Sequence, residues 1–331
     1  MKLSSRCAVV IMCASLLALA GCVMAFPSAE GRFDRTLTVT GPVDLEVTTG
    51  SGKIEIRSGA ASVVKVYGLV RARDDWRNNA QEKVRYLTSN PPVEQTGNVI
   101  RIGPISDEAY RNNVSISYEI EVPEETEVRS RTGSGGIGIE DLRGPVEART
   151  GSGSISVSRV RGDISAETGS GGIHLDDVGG KVAARTGSGS IRAERITGSV
   201  QASTGSGGIH VELVAVESGG RRDVDVSTGS GSIGVMGVNG ALRARSGSGG
   251  ITADGNPGGA WEIHTSSGSV SLRIGADAAF DLNAHCGSGS IRVDHPVTMT
   301  GTAGKHDLRG TVRGGGPLVD VRTSSGGITI R

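Results

Sequence analysis

Aromatic side chains are scarce in this chain, since two Trp, four Tyr and three Phe make up only 3% of its 331 residues. Large rings supply much of the buried area of an ordinary globular core, so the interior here must be thin and built from smaller side chains. Glycine is abundant instead, with 53 residues. Regular alternation of Ile and Val with polar residues accompanies it, and this favours short strands and frequent turns over disorder.

Cysteine is also sparse. Cys7 and Cys13 lie in the apolar N-terminal segment and Cys22 follows it, which leaves Cys286 as the single remaining thiol. One thiol cannot form an internal disulfide, so crosslinks do not stabilise the fold. Cys286 stands where a recurring motif has Thr, and we expect it to be a small buried substitute for that Thr.

An excess of charge of either sign is missing, because 35 basic residues balance 35 acidic ones. The chain therefore offers no basic footprint for nucleic acid. His174 and His210 lie 36 residues apart, and no further metal-binding side chains occupy positions beside them in the repeats, so no metal site is expected. Residues 133–138 spell G-x-G-x-x-G, but a strand follows where a pyrophosphate would need a helix N-terminus, so no cofactor is expected.

Long hydrophobic runs are absent apart from residues 8–20, which follow Lys2 and Arg6. This run is too short for a membrane span and predicts a signal peptide over residues 1–21. Leu19-Ala-Gly-Cys22 resembles the lipobox of bacterial lipoproteins. The resemblance implies that Cys22 is lipidated and anchors the chain to a membrane, the outer membrane in a two-membrane bacterium. Residues 22–32 are interpreted as a tether.

What the chain does contain is a repeat. The stretch Arg-Thr-Gly-Ser-Gly-Gly-Ile that begins at Arg131 returns along the rest of the chain, in a regular run with a step of 18 residues. The Ile positions of that run are Ile137, Ile155, Ile173, Ile191 and Ile209. Each period reads as two alternating strands and two turns, with no room for a crossover helix. The sequence predicts an all-β fold, a parallel β-solenoid of stacked coils.

A threonine precedes most Gly-Ser-Gly corners and falls on the inward phase of its strand. We expect each hydroxyl to bond corner backbone groups that burial would otherwise leave unpaired. These predicted structural residues are Thr132, Thr150, Thr168, Thr186, Thr204 and Thr228.

Coil length has two candidates. Charges of alternating sign recur at one outward position in the series Asp141, Arg159, Asp177 and Arg195, and again in Arg149, Glu167 and Arg185. An 18-residue coil places opposite charges on neighbouring strands, which is favourable, and we predict that length. A 36-residue coil remains an alternative, because it would sort an alternating series of Gly and Ser into two uniform columns. That series is Gly136, Ser154, Gly172, Ser190 and Gly208.

The ends of the repeat region differ from its middle. Residues 33–126 are predicted to be a less regular β region interrupted by a capping helix over about 74–88, with Trp76, Ala80, Val84 and Leu87 on one face. Regular repeats are predicted over residues 127–331. The strand at 328–331 has no recognisable cap, which makes it a candidate edge for self-association.

The order of these segments carries a family resemblance. A Tyr-Glu-Ile-Glu-Val-Pro strand at residues 118–123 precedes the Ser-Gly-Gly-Ile repeats. This arrangement, over residues 33–331, resembles the bacterial "putative adhesin" family, a domain of unknown function related to head-GIN adhesin-like domains. The resemblance implies a solenoid-like fold in an exported or envelope protein and supplies no catalytic residues.

We therefore predict a non-catalytic envelope lipoprotein that presents a repetitive surface to a protein or glycan partner. A carbohydrate-active enzyme, a polysaccharide lyase or hydrolase, is the alternative. Its best acidic cluster is Asp223 and Asp225 beside the basic pair at 221–222. Sugar sites favour exposed aromatics, whereas Trp261 and Phe280 are expected in the core or an end cap. A partner in envelope-stress signalling is a third alternative.

Overall fold

The computed structural model describes residues 28–74, 79–214, 220–299 and 304–331. The signal segment, Cys22 and Trp76 lie outside these residues, so the predictions made for them stay predictions.

Most of the described chain is β-strand, with two short helices. The elements of the first half are β1 (Ser28–Thr38), β2 (Val43–Ser51), β3 (Ile54–Ser58), β4 (Val63–Arg73), α1 (Ala80–Ser89), β5 (Val93–Thr96), β6 (Val99–Ile102), α2 (Glu108–Arg111), β7 (Val114–Val122), β8 (Thr126–Ser134), β9 (Ile137–Leu142), β10 (Val146–Thr150), β11 (Ile155–Val160), β12 (Ile164–Ser170) and β13 (Ile173–Val178). Those of the second half are β14 (Val182–Ser188), β15 (Ile191–Ile196), β16 (Val200–Ser206), β17 (Ile209–Leu213), β18 (Val224–Ser230), β19 (Ile233–Val238), β20 (Leu242–Ser248), β21 (Ile251–Gly255), β22 (Trp261–Ser267), β23 (Val270–Ile274), β24 (Phe280–Ser288), β25 (Ile291–Val293), β26 (Val297–Met299), β27 (Asp307–Val312), β28 (Leu318–Ser325) and β29 (Ile328–Ile330).

Successive strands of the repeat region alternate between two sheets. Sheet A has the order β1-β4-β7-β3-β9-β11-β13-β15-β17-β19-β21-β23-β29-β25. Sheet B has the order β26-β27-β24-β28-β22-β20-β18-β16-β14-β12-β10-β8-β2-β6-β5. From β8 to β23 every neighbour within a sheet pairs in parallel, and one coil contributes one strand to each sheet. The predicted all-β, parallel solenoid is confirmed.

Strand register fixes the coil length. Val146 lies opposite Ile164 in sheet B, and Ile155 lies opposite Ile173 in sheet A. Both steps are 18 residues, so the 18-residue coil is confirmed and the 36-residue coil is excluded. The register also places Glu167 between Arg149 and Arg185, as the charge order predicts.

The core is a thin layer between the two sheets. The predicted Ile column, residues 137, 155, 173, 191 and 209, is buried, with each side chain at most 2% exposed. Small residues of sheet B such as Ala148 and Ala184 face it, which lets the sheets approach closely. Trp261, Phe280 and Cys286 are fully buried, in agreement with their predicted core positions.

Regular stacking begins earlier in the chain than residue 127. β2 pairs in parallel with β8, and β3 pairs with β9, so residues 43–58 form the first coil. The chain then leaves the stack and returns at residue 126. During this excursion β7 and β4 extend sheet A, while β6 and β5 extend sheet B.

The N-terminal end also departs from the prediction at two points. Residues 28–32 belong to β1, which pairs with β4, so the predicted tether is wrong over those five residues. Helix α1 begins at Ala80 rather than near residue 74, because the Asn79 side chain caps it by accepting a hydrogen bond from Glu82 N at 2.7 Å. It packs closely over β1 at Gly31, where a Cβ atom would lie 2.4 Å from Val84 Cγ1.

The C-terminal end corrects another prediction. The last coil, β28 and β29, is inserted between the coil β22–β23 and the coil β24–β25. Residues 328–331 are therefore not a free edge, and the predicted docking through that strand is wrong. The chain reaches this slot because β26 and β27 turn back as antiparallel strands against β24. The outermost strands at this end are β25 and β26.

Candidate functional site

The Thr corners perform the predicted structural task. In each of the six coils the Thr hydroxyl donates to the carbonyl oxygen of a corner Gly in the preceding coil, at 2.8–3.3 Å. These Thr residues are at most 6% exposed. The hydroxyl thus satisfies a carbonyl group that lies at the buried side of the corner. The row of Thr residues stabilises the stack and offers no group to a ligand.

The outward charge ladder on sheet A rests on a backbone feature that the sequence does not announce. Asp141, Arg159, Asp177 and Arg195 all have positive φ, between 53° and 61°. Each interrupts the backbone ladder of its strand, because the register passes from Ser158–Asp176 directly to Val160–Val178 with no ladder pair between Arg159 and Asp177. The ion pairs of these side chains differ in part from the simple charge order.

Arg159 pairs with Asp141 as the charge order predicts, with Nε 2.5 Å from Oδ1. The hydrogen bonds from Arg159 hold the pKa of Asp141 below its ordinary value. Asp177, however, pairs with Arg161 at 2.9 Å, and Arg195 pairs with Asp176. These surface pairs give the sheet a balanced, solvated face and add little stability each.

A long concave feature lies on the outer face of sheet B. We call it the sheet B groove. It has a volume of about 770 Å³ and crosses the strands from β8 to β22. Eight neighbouring strands at about 4.8 Å spacing give it a length of roughly 30 Å. Its lining residues are Glu127, Val128, Arg129, Pro145, Val146, Glu147, Asp163, Ile164, Ser165, Lys181, Val182, Ala183, Ser199, Val200, Gln201, Asp223, Val224, Asp225, Ala241, Leu242, Arg243, Ala260 and Glu262.

Side-chain length creates the groove. One outward position in sheet B carries Glu147, Ser165, Ala183, Gln201 and Asp225 on successive strands. The short side chains of Ser165 and Ala183 lie between longer polar ones, which leaves a shallow channel along the solenoid axis. Small outward residues in successive periods of the sequence could have predicted this groove, but the sequence analysis did not identify it.

Asp223 and Asp225, the carboxylates of the enzyme alternative, both line this groove. Asp223 Oδ1 accepts a hydrogen bond from Ala241 N at 2.9 Å, and Asp225 Oδ2 lies 3.7 Å from Arg243 Nη1. Arg222 is turned inward, 5% exposed, and binds the Val214 carbonyl and the Asn239 side chain. The structure therefore brings the two acids together with Arg243, and assigns Arg222 to the packing of the lengthened period.

The other sequence candidates do not converge on a site. His174 and His210 lie on the outer face of sheet A with Arg192 on the strand between them. Across the residues that the structure describes, no group of three metal-binding side chains occurs. The glycine stretch at 133–138 leads into β9, a strand, so no helix N-terminus faces it. In the same described ranges, neither helix is long and apolar enough to cross a membrane.

An uninterrupted stack of two-stranded coils with a grooved outer face defines this molecule as a two-sheet parallel β-solenoid. Residues 43–331 match the model of the Toastrack DUF4097 family, and the chain belongs to that family. The predicted resemblance to a bacterial adhesin-like domain of unknown function is thereby confirmed. Among curated proteins, no match is found.

Two solved structures are similar to this chain. A "putative cell adhesion protein" from Clostridium sporogenes is 10% identical with a TM-score of 0.21, over 91% of this chain and 99% of that one. A "putative lipid binding protein" from Parabacteroides distasonis is 18% identical with a TM-score of 0.44, over 73% of this chain and 96% of that one. At such identities and scores, the likeness carries no argument about function.

Proposed function

We propose that this protein is a non-catalytic, lipid-anchored module of the cell envelope that binds an elongated partner along the sheet B groove. The observation that carries the proposal is the groove itself, which runs across eight in-register strands of a rigid sheet. A straight channel of roughly 30 Å suits an extended polymer, a glycan or a peptide segment, better than a compact small molecule.

The chemistry of the lining supports binding rather than turnover. The two carboxylates that an enzyme would use are engaged, Asp223 by a backbone N–H and Asp225 by Arg243. General acid–base catalysis by a carboxyl pair needs one acid that can donate a proton and one base that can accept it. Both side chains are thus held by neighbouring groups of the protein itself.

Anchoring is the second part of the proposal. Lipidation of Cys22 would leave the segment 23–27 between the anchor and β1. Such a segment spans at most about 20 Å when extended, which would hold the N-terminal end of the solenoid near the membrane surface. We propose that the membrane is the outer membrane, on the lipobox resemblance. Replacing Cys22 by Ala should move the protein to the soluble fraction or leave it unprocessed, and mass spectrometry of the mature N-terminus checks this directly.

The groove is tested by filling it. Ser165 and Gln201 are exposed side chains of the groove, and replacing both by Arg introduces bulk and charge without touching the core. Ser156 is an equally exposed residue on the outer face of sheet A, so Ser156→Arg is the matched control. Both variants are compared with the unchanged chain by crosslinking in native envelopes and by binding to isolated envelope polysaccharide.

The expected result is a loss of the partner of at least about tenfold for S165R/Q201R and no change for S156R. Equal binding by all three proteins would remove the groove from consideration. Release of oligosaccharides by the full chain, abolished in D223N/D225N, would replace the binding proposal with the lyase or hydrolase alternative.

A further inference from the structure

A second feature of sheet B lies beyond the groove, toward the C-terminal end, and shares no lining residue with it. Four basic side chains occupy one outward position on four adjacent strands, β20, β22, β28 and β24. They are Arg245, His264, Arg322 and His285, directly opposite one another in register. We call them the cationic row.

The row is a longer run of basic residues than the same position carries nearer the N-terminus. There Arg131 and Arg149 lie opposite each other, Glu167 and Arg185 follow, and Ser203 and Ser227 continue the series. Like charges directly opposite each other oppose strand pairing. A run of four basic groups on adjacent strands therefore needs neighbouring acids to offset it.

The row exists because of the inserted C-terminal coil. Arg322 belongs to β28, and it reaches the slot between His264 and His285 only because β28 inserts between β22 and β24. Arg322 lies 58 residues from His264 and 37 residues from His285, so sequence periodicity does not predict this site. Strand spacing of about 4.8 Å sets the four groups over roughly 14 Å.

Acidic groups lie beside the row and beneath it. Asp320 is the deepest, with a side chain only 10% exposed. It accepts hydrogen bonds from Asn283 at 2.6 Å and Arg322 at 3.2 Å, and lies 3.0 Å from His264 Nε2. Burial opposes ionisation of Asp320, but these hydrogen bonds outweigh burial and leave its pKa below the ordinary value.

The row itself reaches outward. Its side chains are 52%, 37%, 56% and 51% exposed in the order Arg245, His264, Arg322, His285. Corner hydroxyl groups of Ser266 and Ser324 line the same depression. The surface thus offers cations and hydroxyl donors outermost and keeps its deepest carboxylate below.

We propose that the cationic row binds a short linear polyanion whose sulfate or phosphate groups lie along the solenoid axis. Two guanidinium groups and two imidazoles at strand spacing can each contact a successive tetrahedral oxyanion. The site takes this ligand whether or not the groove binds a partner, since the two share no residues.

Binding should strengthen in mild acid, because histidine gains a proton between about pH 8 and pH 5. Acids that face the row reduce the net positive charge of this surface, and bases that face it add to that charge. The acids are Glu262 at 3.5 Å from Arg245, Asp320, and Asp307 at 2.7 Å from His285 Nδ1. The neighbouring bases are Arg243, Arg309 and His306. With both row imidazoles charged, the cationic groups around the depression outnumber these acids.

The test is calorimetric titration of the purified full chain with a sulfated heparin-type tetrasaccharide at low salt. Its sulfate groups stay ionised between about pH 6 and pH 8, so any pH dependence belongs to the protein. We expect binding at about pH 6 to be at least about tenfold tighter than at about pH 8. The double variant H264N/H285N should bind equally at both. A second titration uses tripolyphosphate. Tighter binding of tripolyphosphate than of the sulfated sugar would identify a phosphate polymer as the ligand, and weaker binding would identify a sulfated glycan.

Charge-matched variants separate this site from general attraction. R245Q/R322Q should weaken binding at least about tenfold. R149Q/R185Q removes the same charge from the same position nearer the N-terminus, and it should change binding less than about twofold. Arg245→Gln alone serves if the Arg322 change disturbs folding, because the Arg245 contact with Glu262 is long, at 3.5 Å. Equal losses in the two double variants, or no measurable binding by the unchanged chain, would overturn the proposal.

Discussion

Two adjacent glycines in one corner should respond in opposite ways to the same substitution. Gly171 and Gly172 lie between β12 and β13. A Cβ atom on Gly171 would lie 2.1 Å from the carbonyl oxygen of Gly153 in the preceding coil. A Cβ atom on Gly172 would lie 3.6 Å from Ser190 O, which is an ordinary contact.

The first contact has no easy escape, since its partner is backbone rather than a flexible side chain. Relieving it requires the two coils to separate locally by more than about 1 Å, at a typical overpacking cost of about 1–3 kcal/mol. Separation also strains the bond from Thr168 Oγ1 to Gly153 O, 2.8 Å, and the bond from Ser170 N to Gly151 O, 3.2 Å. Each contributes about 1 kcal/mol, so Gly171→Ala should destabilise the protein by about 3–5 kcal/mol.

Gly172→Ala is the matched control. The equivalent positions in the neighbouring coils carry Ser154 and Ser190, so this backbone accepts a side chain. Reduced freedom of the unfolded chain should make the change neutral or stabilising by up to about 1 kcal/mol. Urea denaturation followed by far-UV circular dichroism measures both variants. Similar unfolding free energies for Gly171→Ala and Gly172→Ala would show that close backbone contact between coils does not set the corner sequence.

Three further changes follow from the same contacts. Ile173→Ala should cost about 2–5 kcal/mol in urea denaturation, because its side chain is 2% exposed within the stacked column; a cost below about 1 kcal/mol would contradict a close-packed interior. Thr186→Val keeps the shape but leaves the Gly171 carbonyl without its 2.9 Å donor, so a loss of about 1–3 kcal/mol is expected, and an unchanged midpoint would deny the hydroxyl its role. Asp320 has a lowered pKa in the folded protein, so the stability it supplies is fully present above about pH 4, the ordinary pKa, and is lost as pH falls below it through the folded pKa. Asp320→Asn should therefore lower stability at neutral pH and flatten the acid side of the stability profile; an acid dependence equal to that of the unchanged chain would assign the effect to other carboxyl groups.

The corner shows why the Gly and Ser alternation misleads when read alone. Alternation through Gly136, Ser154 and Gly172 kept a 36-residue coil open. The structure shows that the position accepts either residue, since the nearest backbone atom stays 3.6 Å from a Cβ at Gly136 and at Gly172. A position without steric demand carries no information about coil length, whereas the charge pairing of Arg149 with Glu167 does.

By itself the sequence determined the repeating part of this protein. Period-two alternation fixes which side chains point inward, because a one-residue slip would expose the whole Ile column. The 18-residue step, the Thr hydroxyls at the corners and the buried place of Cys286 all follow from that local rule, and the structure confirms each. Local geometry repeats in every coil, so one period is enough to infer it.

Only the tertiary structure decided the order of the last coils and the sites on sheet B. Strands β24 and β28 carry matching corner sequences, with Ser288 opposite Ser325 and Ser325 opposite Ser267. The repeat pattern of the sequence would therefore allow either strand to lie next to β22. The choice depends on the return path through β26 and β27, which is a long-range packing result with no periodic signal. The cationic row and the buried Asp320 exist only because that insertion occurs, and the sheet B groove exists because the stack aligns short side chains from separate coils.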